Sequence, residues 1–350
     1  MTNEGEALAA TVFAGAGGLQ YVTVTSEHPS APFAVDAPIR IGVSSCLLGN
    51  QVRYDGGHKR DGFLVETFGR YVEWVPVCPE VEVGLGIPRP TLRLERAGDD
   101  IRLVMPKTGE DYTDPMRRYA VKRVVMLGAD DLCGYILKKD SPSCGMERVK
   151  VYDGNTIPGR NGRGLFADAL MRRYPNLPVE EEGRLNDPPL RENFVERVFA
   201  YRRLRSFFER GWTVGGLIAF HTAHKLQLMA HAPKGYEQIG RLVAGAKGVP
   251  RTELRDRYEA EFMATLAAMA TKKRHTNVLQ HIVGYFKKQL DDASRRELLE
   301  VIEDYHTGLV PLVVPLTLVR HYVRRFEIAY LEGQLYLEPH PKELMLRNHV

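Results

Sequence analysis

Ile39-Arg40-Ile41-Gly42-Val43-Ser44-Ser45-Cys46-Leu47-Leu48-Gly49 is a short apolar strand that runs straight into a loop of small residues carrying a cysteine. The same arrangement recurs twice. Tyr71-Val72-Glu73-Trp74-Val75-Pro76-Val77 ends at Cys78-Pro79-Glu80, and Gly134-Tyr135-Ile136-Leu137-Lys138 delivers Ser141-Pro142-Ser143-Cys144-Gly145. Helix-spaced segments lie between these strands, at about residues 62–68 and 115–127, the second with Met116, Tyr119, Ala120, Val124 and Leu127 on one side. Residues 100–104 read as a hairpin strand, 164–174 as a helix, and Leu177-Pro178-Val179 as a last strand. This alternation predicts an α/β domain with a mostly parallel sheet over residues 37–186. Sites in such sheets gather at the carboxyl ends of the strands, so one rule brings Cys46, Cys78 and Cys144 together.

Beyond Asn186-Asp187-Pro188-Pro189 the pattern changes to helices, at about 191–210, 214–230, 235–244, 251–269, 272–289, 294–306 and 316–330. They predict an all-α domain over residues 191–345. Residues 1–36, rich in Ala, Gly, Ser and Thr, read as a disordered extension. No apolar run has the length of a membrane span. The first charges are acidic, Glu4 and Glu6, and glycines break the apolar stretch behind them, which is not a secretory leader. The expected location is the reducing cytoplasm, where four cysteines are free, catalytic or metal-bound rather than disulfide-paired.

A net charge of +4 conceals an asymmetry. Residues 191–350 hold 25 Lys and Arg against 18 Asp and Glu, whereas residues 1–190 hold 23 against 26. A near-neutral half joined to a basic half suggests chemistry in the first and a polyanion on the second. Lys272, Lys273 and Arg274, followed by Lys287 and Lys288 with Tyr285 and Phe286 before them, form a basic stripe suited to RNA phosphates and stacking. A solvated helix face has the same composition. Arg202, Arg203 and Arg205, like Arg320, Arg324 and Arg325, carry the same two readings. His221, His224 and His231 have helical spacing but no acidic companion, which favours packing or RNA-backbone contact over a metal.

Cys133 follows Leu132 at the head of an apolar strand and reads as a buried small hydrophobe. The other three cysteines have turn-forming neighbours that let the backbone approach a bulky inorganic centre. Zinc usually takes closely spaced ligand pairs, and the chain has no C-x-x-C. Three thiolates are an incomplete set for a cubane iron–sulfur cluster, which normally takes four, and would leave one iron open.

The run from Ile41 to Gly49, continuing through Arg53-Tyr54-Asp55-Gly56-Gly57, resembles the opening of the bacterial thiouracil desulfidase family. Val77-Cys78-Pro79-Glu80 and Leu137-Lys138-Lys139-Asp140-Ser141-Pro142-Ser143-Cys144-Gly145 match its other two signatures, and the resemblance covers about residues 39–185. It implies a 4Fe–4S cluster held by Cys46, Cys78 and Cys144, with the fourth iron lacking a protein ligand. It also implies a catalytic glutamate and serine, which carry over to Glu80 and to Ser141, with Ser143 the second choice. The segments 217–225, 231–236 and 276–288 resemble the helical domain fused behind this module in bacterial tRNA 4-thiouridine desulfidases.

The expected function is therefore non-redox, hydrolytic removal of sulfur from thiolated uracil, with 4-thiouridine in tRNA the favoured substrate. No membrane and no obligate protein partner are implied. One rival is a desulfidase of free 2-thiouracil or a small thioamide. Another is a non-catalytic iron–sulfur protein that binds RNA or senses redox state, with Cys133 as a fourth ligand.

Overall fold

The computed structural model describes Phe33, Val35 and residues 38–154 and 156–350. The extension expected over residues 1–36 thus lies outside the described residues, apart from Phe33 and Val35. Both of these pack on the core, and the Phe33 ring meets Phe207 and Phe220 edge-on at 6.0 and 5.1 Å.

The first half contains strands β1 (Arg40–Ser44), β2 (Glu73–Val77), β3 (Arg93–Ala97), β4 (Asp100–Met105), β5 (Glu110–Asp111), β6 (Leu132–Leu137), β7 (Val149–Tyr152), β8 (Gly159–Gly162) and β9 (Val179–Glu181). Helices α1 (Pro79–Glu82), α2 (Thr113–Leu127) and α3 (Leu165–Arg173) lie among them. Four strands form a fully parallel sheet in the order β2-β1-β6-β9. The inner strand β1 is buried but for Arg40 and every residue of β6 is buried, as a parallel sheet covered on both faces requires, whereas the edge strand β2 buries only Val77. A second sheet, β5-β4-β3-β7-β8, is mostly antiparallel. Only its β4 is foreseen from sequence, because the other strands are short or largely polar. The helix expected at 62–68 is a single wide turn, Phe63–Thr67, followed by a tight one, Phe68–Arg70.

The second half is helical: α4 (Pro188–Glu209), α5 (Val214–Ala223), α6 (Lys225–His231), α7 (Pro233–Ala244), α8 (Arg251–Ala267), α9 (Lys272–Val283), α10 (Asp292–Thr307), α11 (Val313–Arg325) and α12 (Ala329–Glu332). Asp187 caps α4 by accepting the Leu190 N–H at 3.0 Å, with Pro188 and Pro189 in the first turn. The segment expected as one helix over 214–230 breaks at His224, whose ring nitrogen Nδ1 lies 2.8 Å from the Phe220 carbonyl oxygen. The α4 helix belongs to both halves. Its Phe194 ring meets Phe68, its Val198 sits where a side chain on Gly134 of β6 would stand, and one hydrophobic core runs through both halves. A second core, built on α9, α10 and α11, completes the helical half. Among the described residues, no helix is long and apolar enough to cross a membrane.

Candidate active site

After β1 the chain enters a tight turn, Ser45–Leu48, which buries Cys46. Gly49 closes it at φ 100°, a conformation that glycine adopts without a Cβ clash. The Cys46 carbonyl accepts N–H groups from Gly49 at 3.3 Å and Lys59 at 2.9 Å, which pins the loop at both ends. Cys78 follows β2 as the cap of α1. Its N–H donates to Glu82 Oε1 at 3.1 Å, and the Glu80 and Val81 amides hydrogen-bond its sulfur.

Cys144 lies in the loop after β6. The Ser141 hydroxyl oxygen accepts the N–H groups of Ser143 and Cys144 at 3.3 and 3.1 Å, a local turn that competes well with helix or strand. The first amides of α3 clasp this loop: Leu165 N–H donates to the Pro142 carbonyl, and those of Phe166 and Ala167 to the Ser143 carbonyl. A Cβ on Gly164 would stand 2.4 Å from that same Ser143 oxygen, so the clasp requires glycine. The Ser44 hydroxyl ties two of the loops together. It accepts the Lys138 N–H at 2.9 Å and hydrogen-bonds the Cys144 sulfur.

The three thiols feel one another. Burial pushes Cys46 up to about 11, opposed by the Lys138 ammonium and reinforced by Cys78. Burial raises Cys78 against the lowering effect of the α1 amides. Cys144 stands well above its ordinary value, again chiefly through burial, with the Ser44 hydrogen bond opposing and Glu80, Cys78 and Cys46 adding to the rise. Cys46 and Cys144 are buried and Cys78 is half-buried, and a strongly positive centre between three such sulfurs would favour their thiolate forms. Among the described residues, no three His, Cys, Asp or Glu side chains group closely enough to hold one metal ion. Cys46, Cys78 and Cys144 would suit a centre of several metals, such as an iron–sulfur cluster, for which thiolates are the ordinary ligands. Cys133 is not among them. It is fully buried at the amino end of β6, contacting the Asp131 carbonyl, whereas Cys144 follows the carboxyl end of the same strand.

Glu80, two residues beyond Cys78, is held from two sides. Its Oε2 accepts Arg89 Nη2 at 2.7 Å and Nε at 3.0 Å, and its Oε1 accepts the Ser143 hydroxyl at 2.9 Å. Arg89 in turn donates to the carbonyls of Val52 and Gly86, and the Cys78 thiol contacts the same Val52 oxygen at 3.8 Å. The two serines therefore differ. Ser143 is fully buried with its hydroxyl engaged by Glu80, whereas Ser141 is part-buried and its oxygen accepts two amides. Arg89 has no sequence signal beyond a Gly- and Pro-rich loop. Lys138 stands inside a quoted motif, yet only the fold shows its ion pair with Glu182 at 2.5 Å.

The basic residues separate. Lys272 and Lys273 are exposed at the start of α9, and Lys287 and Lys288 are exposed beyond its end. The 12-residue helix, roughly 18 Å long, and a further turn separate the two pairs. Arg274 instead donates to the Met269 and His231 carbonyls. The expected stacking groups are already occupied, since Tyr285 stacks on Tyr330 at 5.0 Å and Phe286 is fully buried. His221, His224 and His231 are all buried, the first stacked on Tyr236 and the last 3.3 Å from Glu196, so packing is their role. Two cavities in the helical half, of about 560 and 200 Å3, touch none of the three thiols.

Residues 41–182 match the family model of 2-thiouracil desulfurase, and residues 225–341 match that of a protein family of unknown function, DUF1722. The uncharacterised protein YbgA of Escherichia coli K12 is 33% identical over 153 residues, which are 43% of this chain and 90% of YbgA. The uncharacterised protein YbbK of Bacillus subtilis 168 is 31% identical over 153 residues, 41% of this chain and 97% of YbbK. A solved structure of a [4Fe-4S]-dependent thiouracil desulfidase, TudS, is 33% identical, covering 43% of this chain and 94% of that one, with a TM-score of 0.35. The chain belongs to the 2-thiouracil desulfurase family, and carries a DUF1722 domain behind that module.

Proposed function

We propose that the protein is an iron–sulfur-dependent desulfidase that converts 4-thiouridine in tRNA to uridine, releasing hydrosulfide. The observation that carries this reading is Glu80, fixed by Arg89 and Ser143 beside three convergent cysteines. Cys46, Cys78 and Cys144 would hold a 4Fe–4S cluster, leaving one iron without a protein ligand. When bound, such a cluster supplies a soft Lewis acid for a thiocarbonyl sulfur.

The chain's own residues supply the rest. Arg89 donates its Nε–H and Nη2–H to one oxygen of Glu80, a charge-assisted contact that fixes the orientation of the carboxylate. Glu80 acts as general base, taking a proton from the water that attacks the ring carbon. Ser141 lends its hydroxyl to the base being turned over, while Ser143 positions Glu80 and touches no substrate. Water supplies the oxygen, the carbon–sulfur bond breaks, and the sulfur leaves as hydrosulfide. No electron is transferred.

The basic helical half and the exposed pairs Lys272/Lys273 and Lys287/Lys288 support RNA as the carrier of the base. A nucleotide within folded RNA must leave its stack to reach such a site. The test is anaerobic incubation of cluster-reconstituted protein with bulk tRNA, measuring 4-thiouridine, uridine and sulfide. Loss of 4-thiouridine with matching sulfide, absent in Cys46→Ala, supports the proposal. Turnover of free 2-thiouracil with tRNA untouched assigns the chemistry to a free base. An intact cluster with neither activity overturns the enzyme reading.

A further inference from the structure

The helical half concentrates buried chemistry that the desulfidase reading leaves unused. On one face of α4, Glu192, Asn193 and Glu196 are all buried, as are His231, His275 and Arg347 around them. Arg347 donates to Glu192 Oε1 at 2.9 Å, Gln227 donates to Glu196 Oε1 at 2.8 Å, and His231 meets Glu196 Oε2 at 3.3 Å. Burying so many ionisable groups costs stability unless they are paired, and such a cluster beside a cavity is a candidate for function.

A cavity of about 200 Å3 opens into this cluster. It is below the roughly 300–1,000 Å3 of sites for drug-sized molecules and suits one ring system. Three polar residues that line it, each more than nine-tenths buried, keep an atom without a hydrogen-bond partner among the described residues. Glu192 bonds only through Oε1, Asn193 only through its amide nitrogen, and His275 only through Nδ1, to the Tyr336 hydroxyl at 3.0 Å. A carboxylate oxygen, an amide oxygen and an imidazole nitrogen are thus left for a ligand. Two of the three can only accept, so the ligand must bring N–H or O–H donors.

We infer that this cavity is a second binding site, for a guanine base that offers its adjacent N–H groups to Glu192 and Asn193. Among the four RNA bases, only guanine presents two neighbouring N–H donors on its pairing edge. Met269 and Ala270 form apolar wall, and Lys272 lines the cavity as a cation suited to an attached phosphate. The same lysine disfavours a guanidinium ligand such as arginine. The site does not depend on the cluster or on desulfidation, and it takes guanine from a free nucleotide or from an unpaired position in RNA.

The experiment is calorimetric titration of the full-length protein with guanosine 5′-monophosphate, uridine 5′-monophosphate, arginine, and short single-stranded RNAs with or without one guanine. Binding of the guanine nucleotide at least tenfold tighter than the uridine nucleotide supports the site. Binding confined to the guanine-containing RNA supports it with RNA as the source. Ala270→Leu, which fills the cavity and leaves the charged cluster intact, should abolish binding while the thermal midpoint and thiouracil turnover stay near wild type. Glu192→Gln should weaken binding at least tenfold. No preference for guanine, tighter binding of arginine, or undiminished binding by Ala270→Leu overturns the inference.

Discussion

The Ser143 hydroxyl donates to Glu80 Oε1 at 2.9 Å across 63 residues of sequence, joining the loops that carry Cys144 and Cys78. Ser143 is fully buried, which supports the proposed role of positioning Glu80 rather than touching substrate. Ser143→Ala should lower kcat roughly tenfold with KM within about twofold, the loss expected from one orienting hydrogen bond. Ser141→Ala should change KM as well, because its hydroxyl is assigned to the substrate. Steady-state kinetics on thiouracil separate the two. Equal kinetic losses in both variants would remove this division of roles.

Arg89 holds Glu80 by two N–H bonds, and both side chains are shielded from solvent. Arg89→Met leaves the carboxylate without its cation and removes the ties to the Val52 and Gly86 carbonyls. Turnover should fall by more than tenfold, and urea unfolding should show a loss of about 1–3 kcal/mol. Arg89→Lys restores charge but not the fork, so it should recover stability more than activity.

Cys133 sits at the opposite end of β6 from the thiol site, so Cys133→Ala should keep the cluster's visible absorbance and full turnover. Loss of absorbance in that variant, with the fold intact by circular dichroism, would restore the fourth-ligand rival.

Gly42, in the middle of β1, lies under the buried Tyr135 ring, and a Cβ there would stand 2.1 Å from Tyr135 Cδ2. The ring has no solvent to move into. Gly42→Ala should therefore destabilise the protein by about 1–3 kcal/mol or more through overpacking, read as a lowered urea midpoint.

Burial holds His224 and His275 neutral, with values of about 3, far below the ordinary 6.5. The unfolded chain takes up protons at these residues as pH falls below about 6.5, and the folded chain does not until near 3. Acid therefore favours unfolding within that window, each histidine contributing a slope of about 1.4 kcal/mol per pH unit. His224→Gln should flatten the fall in stability between pH 6 and 4 by about that amount, measured by urea melts at stepped pH.

Much of this protein is legible in its linear order because its signals are local. Three apolar segments followed by small residues and a cysteine predict three strand ends, and a parallel sheet places those ends on one edge. The change of hydrophobic period after Asn186 marks where the helices begin. The local rules miss the second sheet, where β8 is Gly-Arg-Asn-Gly and is held by its neighbours rather than by its own composition. They likewise miss the break at His224, which rests on one buried ring nitrogen near one carbonyl.

What sequence alone determined was which residue types stand at the strand ends, since backbone turns and thiol chemistry depend on nearest neighbours. The tertiary structure decided how these residues divide their roles. Only folding brings Arg89 and Ser143 to opposite oxygens of Glu80, sends Cys133 to the far end of its strand, and draws Glu192 and His275 around one cavity. The physical reason is that hydrogen bonds and Coulomb forces act over a few ångströms of space, whatever the separation along the chain.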